Sequence, residues 1–98
     1  MARIKWLKSA KTDLFEIHEY ISKDSKRYAK FQILKIKKKI KQLKSLPNSG
    51  KVVPELNQVE IREIIEGNYR IIYKMIEEET ILILMIHHGA RDLTKRLN

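Results

Sequence analysis

The chain has 98 residues with 21 Lys and Arg against 12 Asp and Glu, giving a net charge of +9 and an isoelectric point near 9.9. Hydrophobic residues make up 43% and charged residues 34%, with three Gly and two Pro; this excludes a disordered chain and leaves room for one domain, residues 1–98, that buries roughly two-thirds of its unfolded surface. No cysteine is present, which excludes disulfides, thiolate catalysis and a Cys-based zinc site.

From the N-terminus, Ile4 and Trp6 alternate with Arg3 and Lys5, the pattern of a short strand with one apolar face. Over about Ala10 to Lys23, the residues Ala10, Leu14, Ile17 and Ile21 recur at helical spacing, with Asp13, Glu16 and Glu19 elsewhere. Asp24-Ser25 breaks this helix and offers an N-cap for a second, which runs to about Leu46 before Pro47 and Gly50 forbid continuation. Along it Ala29, Ile33, Ile36, Ile40 and Leu43 fall within about 80° of one another at 100° per residue. The two helices therefore read as a hairpin.

Pro47 to Asn57 reads as an ordered loop from helix to sheet. Three strand signals follow, Val59 to Ile65, Tyr69 to Ile76 and Thr80 to His87, joined by Glu66-Gly67-Asn68 and Glu77-Glu78-Glu79. Loops that short imply antiparallel neighbours. The expected fold is α+β: an N-terminal strand and a two-helix hairpin packed on an antiparallel sheet completed by three C-terminal strands. Ile81 to Ile86 is apolar on both sides, so the sheet centre should be covered twice or meet a partner.

The opening Met-Ala-Arg-Ile-Lys-Trp carries no apolar leader, and the run from Ile81 to Ile86 is far too short to span a membrane. A cytoplasmic protein without membrane contact is expected. The positive field attracts polyanions or an acidic protein, or the lysines merely solvate the surface.

The order Ala10, Asp13-Leu14, Ile17, Tyr20-Ile21, Ala29, Leu43, Pro47, Gly50-Lys51, Pro54-Glu55-Leu56, Ile61-Arg62-Glu63, Tyr69-Arg70-Ile71-Ile72-Tyr73 and His87-His88-Gly89-Ala90-Arg91-Asp92-Leu93 resembles the RelE/ParE toxin superfamily over nearly the whole chain. The resemblance implies the toxin of a type II toxin–antitoxin pair, held inactive in a complex with its cognate antitoxin protein. It also implies one of two mechanisms. RelE-like members cleave mRNA on the ribosome, whereas ParE-like members poison DNA gyrase. Arg70 matches the RelE strand arginine, but Ile61, Arg62 and Glu63 stand where RelE has a lysine pair, and no tyrosine follows His88. Arg62 and the His-Gly-Ala-Arg-Asp-Leu ending resemble ParE and the plasmid-stabilisation proteins, so a growth inhibitor acting on gyrase is expected, with the ribosome-dependent endoribonuclease as the alternative.

An endoribonuclease needs a base, cations for the phosphorane and an acid; Arg70, His87, His88 and Arg91 are the residues of those types, although strand alternation sends His87 and His88 to opposite faces. Arg62 and Arg70, on adjacent strands, would on one face form a phosphate or antitoxin grip with Tyr73 and Arg91 as further contacts, or else be surface arginines bridged to Glu60, Glu63 or Glu66. Arg91 has Asp92 beside it for a local ion pair. His18 lies at the edge of an apolar stripe, and three histidines at these spacings match no zinc site, so neither metal nor cofactor is expected. Phe31 and Leu34 lie roughly 140–160° around the second helix from its stripe, either as scattered surface apolars or as a docking patch for an antitoxin segment or a second copy.

Overall fold

A computed structural model describes residues 2–77 and 79–97. In chain order the elements are β1 (Arg3–Trp6), α1 (Lys8–Ser22), α2 (Lys26–Lys41), β2 (Lys51–Val52), β3 (Ile61–Glu66), β4 (Tyr69–Glu77) and β5 (Thr80–His88), with 3-10 turns at Gln42–Lys44 and Leu93–Arg96. The Ser25 hydroxyl accepts from the Tyr28 amide at 3.0 Å and caps α2. At its other end α2 tightens into the 3-10 turn instead of continuing as helix to Leu46.

The five-stranded sheet has the order β1-β5-β4-β3-β2. β2 to β5 pair antiparallel, but β1 lies parallel to β5, so the sheet is mixed and not wholly antiparallel. The reason is connectivity: β1 leads into a helical hairpin and not into a tight turn, so no turn forces it antiparallel to a neighbour. β2 is a second departure, because the stretch from Pro47 read as loop contributes Lys51 and Val52 to pair with Glu63 and Arg62. Val59 sits in the turn before β3 and is 72% exposed. Gly67-Asn68 closes the β3–β4 hairpin with Gly67 at φ +59, a conformation that glycine adopts without strain. The turn after β4 includes Glu78, which lies outside the described residues.

The helical hairpin covers one face. Ala10 on α1 and Ile36, Ile40 and Leu43 along α2 and its 3-10 extension meet Ile64, Ile71, Tyr73, Ile81 and Ile83 in one buried cluster. Each fully buried Ile or Leu contributes roughly 1.5–3 kcal/mol. Val53, Leu56, Leu93 and Leu97 fold across Ile61 and Ile72 on the other face. The doubly apolar β5 is thus buried on the helix side, while Leu84 and Met85 pack, partly buried, against this second cluster. A register shift between Ile72/Tyr73 and their partners Met85/Ile83 leaves Leu84 as an extra residue, so Ile81, Ile83 and Ile86 all join the helix-side cluster despite their spacing. The Ser9 hydroxyl donates to the Leu84 carbonyl at 2.9 Å and ties the start of α1 to this bulge.

Candidate functional site

The end of the sheet where β3, β4 and β5 meet the C-terminal turn carries most of the residues singled out from the sequence. Strand register decides what they can do. Arg62 is opposite Tyr73, while Arg70 is opposite Ile65; the two arginines therefore occupy different faces and cannot form the shared grip considered from the sequence.

On the helix-side face, Arg62 donates from Nη1 to the Gly50 carbonyl at 2.9 Å. Tyr73 is fully buried. Its hydroxyl donates to the Pro47 carbonyl at 2.9 Å and accepts from the Gly50 amide at 3.0 Å, and burial pushes its pKa up. Arg62 and Tyr73 are clamps on the loop between α2 and β2. Tyr73 is therefore not a contact surface for a partner.

On the opposite face, Arg70 is engaged by two carboxylates. Its Nε and Nη2 donate to Glu63 at 2.6 and 3.0 Å, and Nη1 and Nη2 donate to Glu55 at 2.8 and 2.7 Å. Glu63 is buried, 3% exposed, so its charge is held in the sheet only because this guanidinium faces it. Hydrogen bonds from Arg70 hold the Glu55 carboxyl down at about 2 from an ordinary 4.5. Glu55 and Glu63 push the Arg70 pKa further up. Bridging to Glu63 had been readable from the sequence; Glu55, fifteen residues away across the loop, had not.

His87 and His88 do face opposite ways. His87 is buried, 3% exposed, and lies opposite Arg70 in the register. Its Nε2 is 2.9 Å from the Arg91 carbonyl; a carbonyl only accepts, so Nε2 carries a proton. The Nδ1 faces Arg96 Nη1 at 3.4 Å. His88 stands half-buried with its ring edge-on to Tyr69 at 5.4 Å, and its Nδ1 accepts from the Ala90 amide at 3.1 Å. Arg91 is exposed and makes no ion pair with Asp92, whose carboxylate caps the last turn through the Thr94 amide at 3.0 Å. The local pair considered from the sequence does not form.

Asp13 was missed. From α1 its Oδ2 accepts the Ile86 amide at 2.9 Å while both its oxygens accept from Arg96 Nη2, at 2.9 and 3.0 Å. One carboxylate thus joins α1, β5 and the C-terminal turn. Only the aspartate's place in the superfamily pattern pointed to it, since its partner is 83 residues away. Beside it opens a cleft of about 1010 Å³ that Tyr20, Tyr69, His88 and Arg91 also line. Burial pushes the Tyr69 pKa up. His18 pairs with its neighbour Glu19 at 3.2 Å. Among the described residues no three His, Asp or Glu side chains converge as a metal ion would require, and no helix is long and apolar enough to cross a membrane.

Phe31 and Leu34 are 55% and 56% exposed, outside the core as their helical phase predicts. Tyr28 joins them, with its ring 6.3 Å from Phe31, and Lys35 Nζ lies 5.2 Å from the centre of the Phe31 ring. Tyr28 escaped the sequence reading although it is three residues from Phe31, one turn back on the same helix face.

Comparison with known proteins adds identity to this geometry. No curated protein sequence matches the chain. A solved structure described as the chromosomal ParDE TA system from P. aeruginosa is similar in fold, with a TM-score of 0.73 and 22% identity, covering 90% of this chain and 96% of that one. Residues 4–93 match the family described as the ParE toxin of the type II toxin-antitoxin system, parDE. With the match spanning β1 to the last turn, the chain belongs to the ParE toxin family of type II toxin–antitoxin systems.

Proposed function

We propose that this single-domain, cytoplasmic protein inhibits growth by binding DNA gyrase and is neutralised by a cognate antitoxin that docks on Tyr28, Phe31 and Leu34. The observation that carries the mechanism is the state of Arg70. A nuclease reading needs that guanidinium free to meet a phosphorane, yet four of its N–H···O contacts go to Glu55 and Glu63. His87, the other group a nuclease would draw on, is buried against Arg91 and Arg96. Binding to a large target asks no proton transfer of either. For the antitoxin, the exposed aromatic and aliphatic side chains on one face of α2, among Arg27, Lys30 and Lys35, suit an amphipathic acidic segment.

The test is purified protein in a gyrase supercoiling assay beside primer extension on ribosome-bound mRNA. Inhibited supercoiling with intact mRNA is the expected result. Ribosome-dependent cleavage with unaffected supercoiling would replace this reading by the RelE-like one. For the docking patch, Phe31→Asp with Leu34→Asp should leave the thermal melt in place and weaken capture by the protein encoded beside the toxin gene. A lost melt would put both side chains in the core.

A further inference from the structure

Charge is not spread evenly over the chain. Residues 1–12 hold four Lys and Arg and residues 25–54 hold ten, with no Asp or Glu in either stretch; the other 56 residues hold seven cations and all 12 carboxylates. The first two stretches together carry +14 and the rest −5. Folding brings the two cationic stretches side by side. The Ala2 amide donates to the Lys44 carbonyl at 3.0 Å, which ties the start of β1 to the turn that ends α2. Lys11 of α1 lines the same shallow depression as Lys37, Lys41 and Lys44. The cations are therefore gathered at one pole of the molecule.

Lys37, Lys41 and Lys44 follow one another at spacings of four and three along one side of α2 and its 3-10 extension. From first to last they advance roughly 10 Å, the axial rise of about three nucleotides in one strand of a duplex. Lys8 stands exposed one turn before Lys11 on α1. Among the described residues none of these five lysines has a carboxylate within 4.0 Å; Lys35, with Glu66 at 3.6 Å, is the one lysine of α2 that has. Like charges at helical spacing repel, and nothing within the chain offsets them here.

We infer that this lysine pole binds the phosphate backbone of duplex DNA without regard to sequence. Its members are flexible point charges, which follow a line of phosphates and do not impose the planar fork of an arginine. Trp6, the aromatic side chain of the depression, is half-buried against the core. It offers no free ring on which an unpaired base could stack, and a duplex is favoured over a single strand for that reason. A second copy of this chain is a poor occupant, because it would set the pole against itself. The choice of DNA rests on the gyrase reading, since gyrase acts on duplex DNA. The backbone contact does not rest on it and is measured with no gyrase present, so either can fail without the other.

The probe is a fluorescein-labelled DNA duplex of about 16 base pairs, made in two unrelated sequences and titrated with the full chain at about 50 and 200 mM salt, with anisotropy as the readout. Saturable binding of equal strength to both sequences is expected, weakening roughly 10²-fold between the two salt concentrations, as about four neutralised phosphates require. Lys37→Gln with Lys41→Gln should lower the slope of log affinity against log salt by about 2. Lys23→Gln with Lys95→Gln removes the same charge from exposed positions outside the pole and should leave that slope in place. Thermal melts check both variants, and Lys8→Gln with Lys11→Gln carries the same expectation if the first pair fails to fold. Four results would overturn the proposal: no saturable binding at the lower salt, an equal loss of slope inside and outside the pole, unequal affinity for the two sequences, or tighter binding of single-stranded DNA or duplex RNA. Equal affinity for poly-L-glutamate of matching charge would assign the pole to an acidic protein instead.

Discussion

Two cationic regions of this molecule behave in opposite ways. At the β3–β4 end, Arg70 is met by Glu55 and by the buried Glu63. Along α2 and the β1 edge, lysines outnumber any carboxylate that reaches them. The first region uses charge to close a loop over a sheet, whereas the second leaves charge available to a partner. A count of +9 does not distinguish them; the position of the carboxylates does.

Removing a charge should therefore cost most where it is paired. Arg70→Ala strands the buried Glu63 carboxylate and is expected to lower folding stability by about 3–5 kcal/mol, measured by urea unfolding. Lys37→Ala with Lys41→Ala, on the unpaired side, should stay within about 0.5 kcal/mol of the unaltered chain. Equal losses at the two sites would erase the distinction.

A smaller effect tests the loop that the paired region holds down. Gly50→Ala would place a Cβ 2.6 Å from both the Glu63 carbonyl and the Tyr73 hydroxyl, and overpacking there should cost about 1–3 kcal/mol. Tyr73→Phe leaves the Gly50 amide and Pro47 carbonyl without their partner and should cost a similar ~1–3 kcal/mol. A denaturant midpoint unchanged in both variants would show that the loop is not clamped.

The smallest expected effect is a pH dependence with a definite sign. Glu55 is held at about 2 in the folded chain against 4.5 ordinarily. A carboxylate with a depressed folded pKa contributes stability that is full above about pH 4.5 and is lost as pH falls toward 2. Unfolding measured across that window should show the slope in the unaltered chain and a shallower one in Glu55→Gln. An identical slope would detach Glu55 from Arg70.

What the sequence made legible follows one physical line. Helical phase was readable: Ala29, Ile36, Ile40 and Leu43 are buried and Phe31 and Leu34 exposed, as 3.6-residue periodicity requires. The Ser25 cap and the β3–β4 turn were readable from local chemistry. Alternation within one strand was readable, as for His87 and His88, but the register between strands was not, because a difference of one residue moves a side chain to the other side of the sheet. Arg62 and Arg70 fell apart for that reason, and the Leu84 bulge reset the phase of β5 without any glycine or proline to announce it. The parallel placement of β1, and Asp13 with Arg96, depend on segments that meet only after folding.

The central claim is that this toxin works by binding, with its strand arginine and buried histidine committed to the fold. The most direct measurement is growth arrest on induction of His88→Ala, the half-exposed histidine at the cleft, in cells where circular dichroism of the purified variant shows the native fold. The account predicts arrest as strong as with the unaltered chain. Loss of toxicity together with a fall of about 10²–10⁴-fold in ribosome-bound mRNA cleavage, the size expected when a general acid or base is removed, would contradict it.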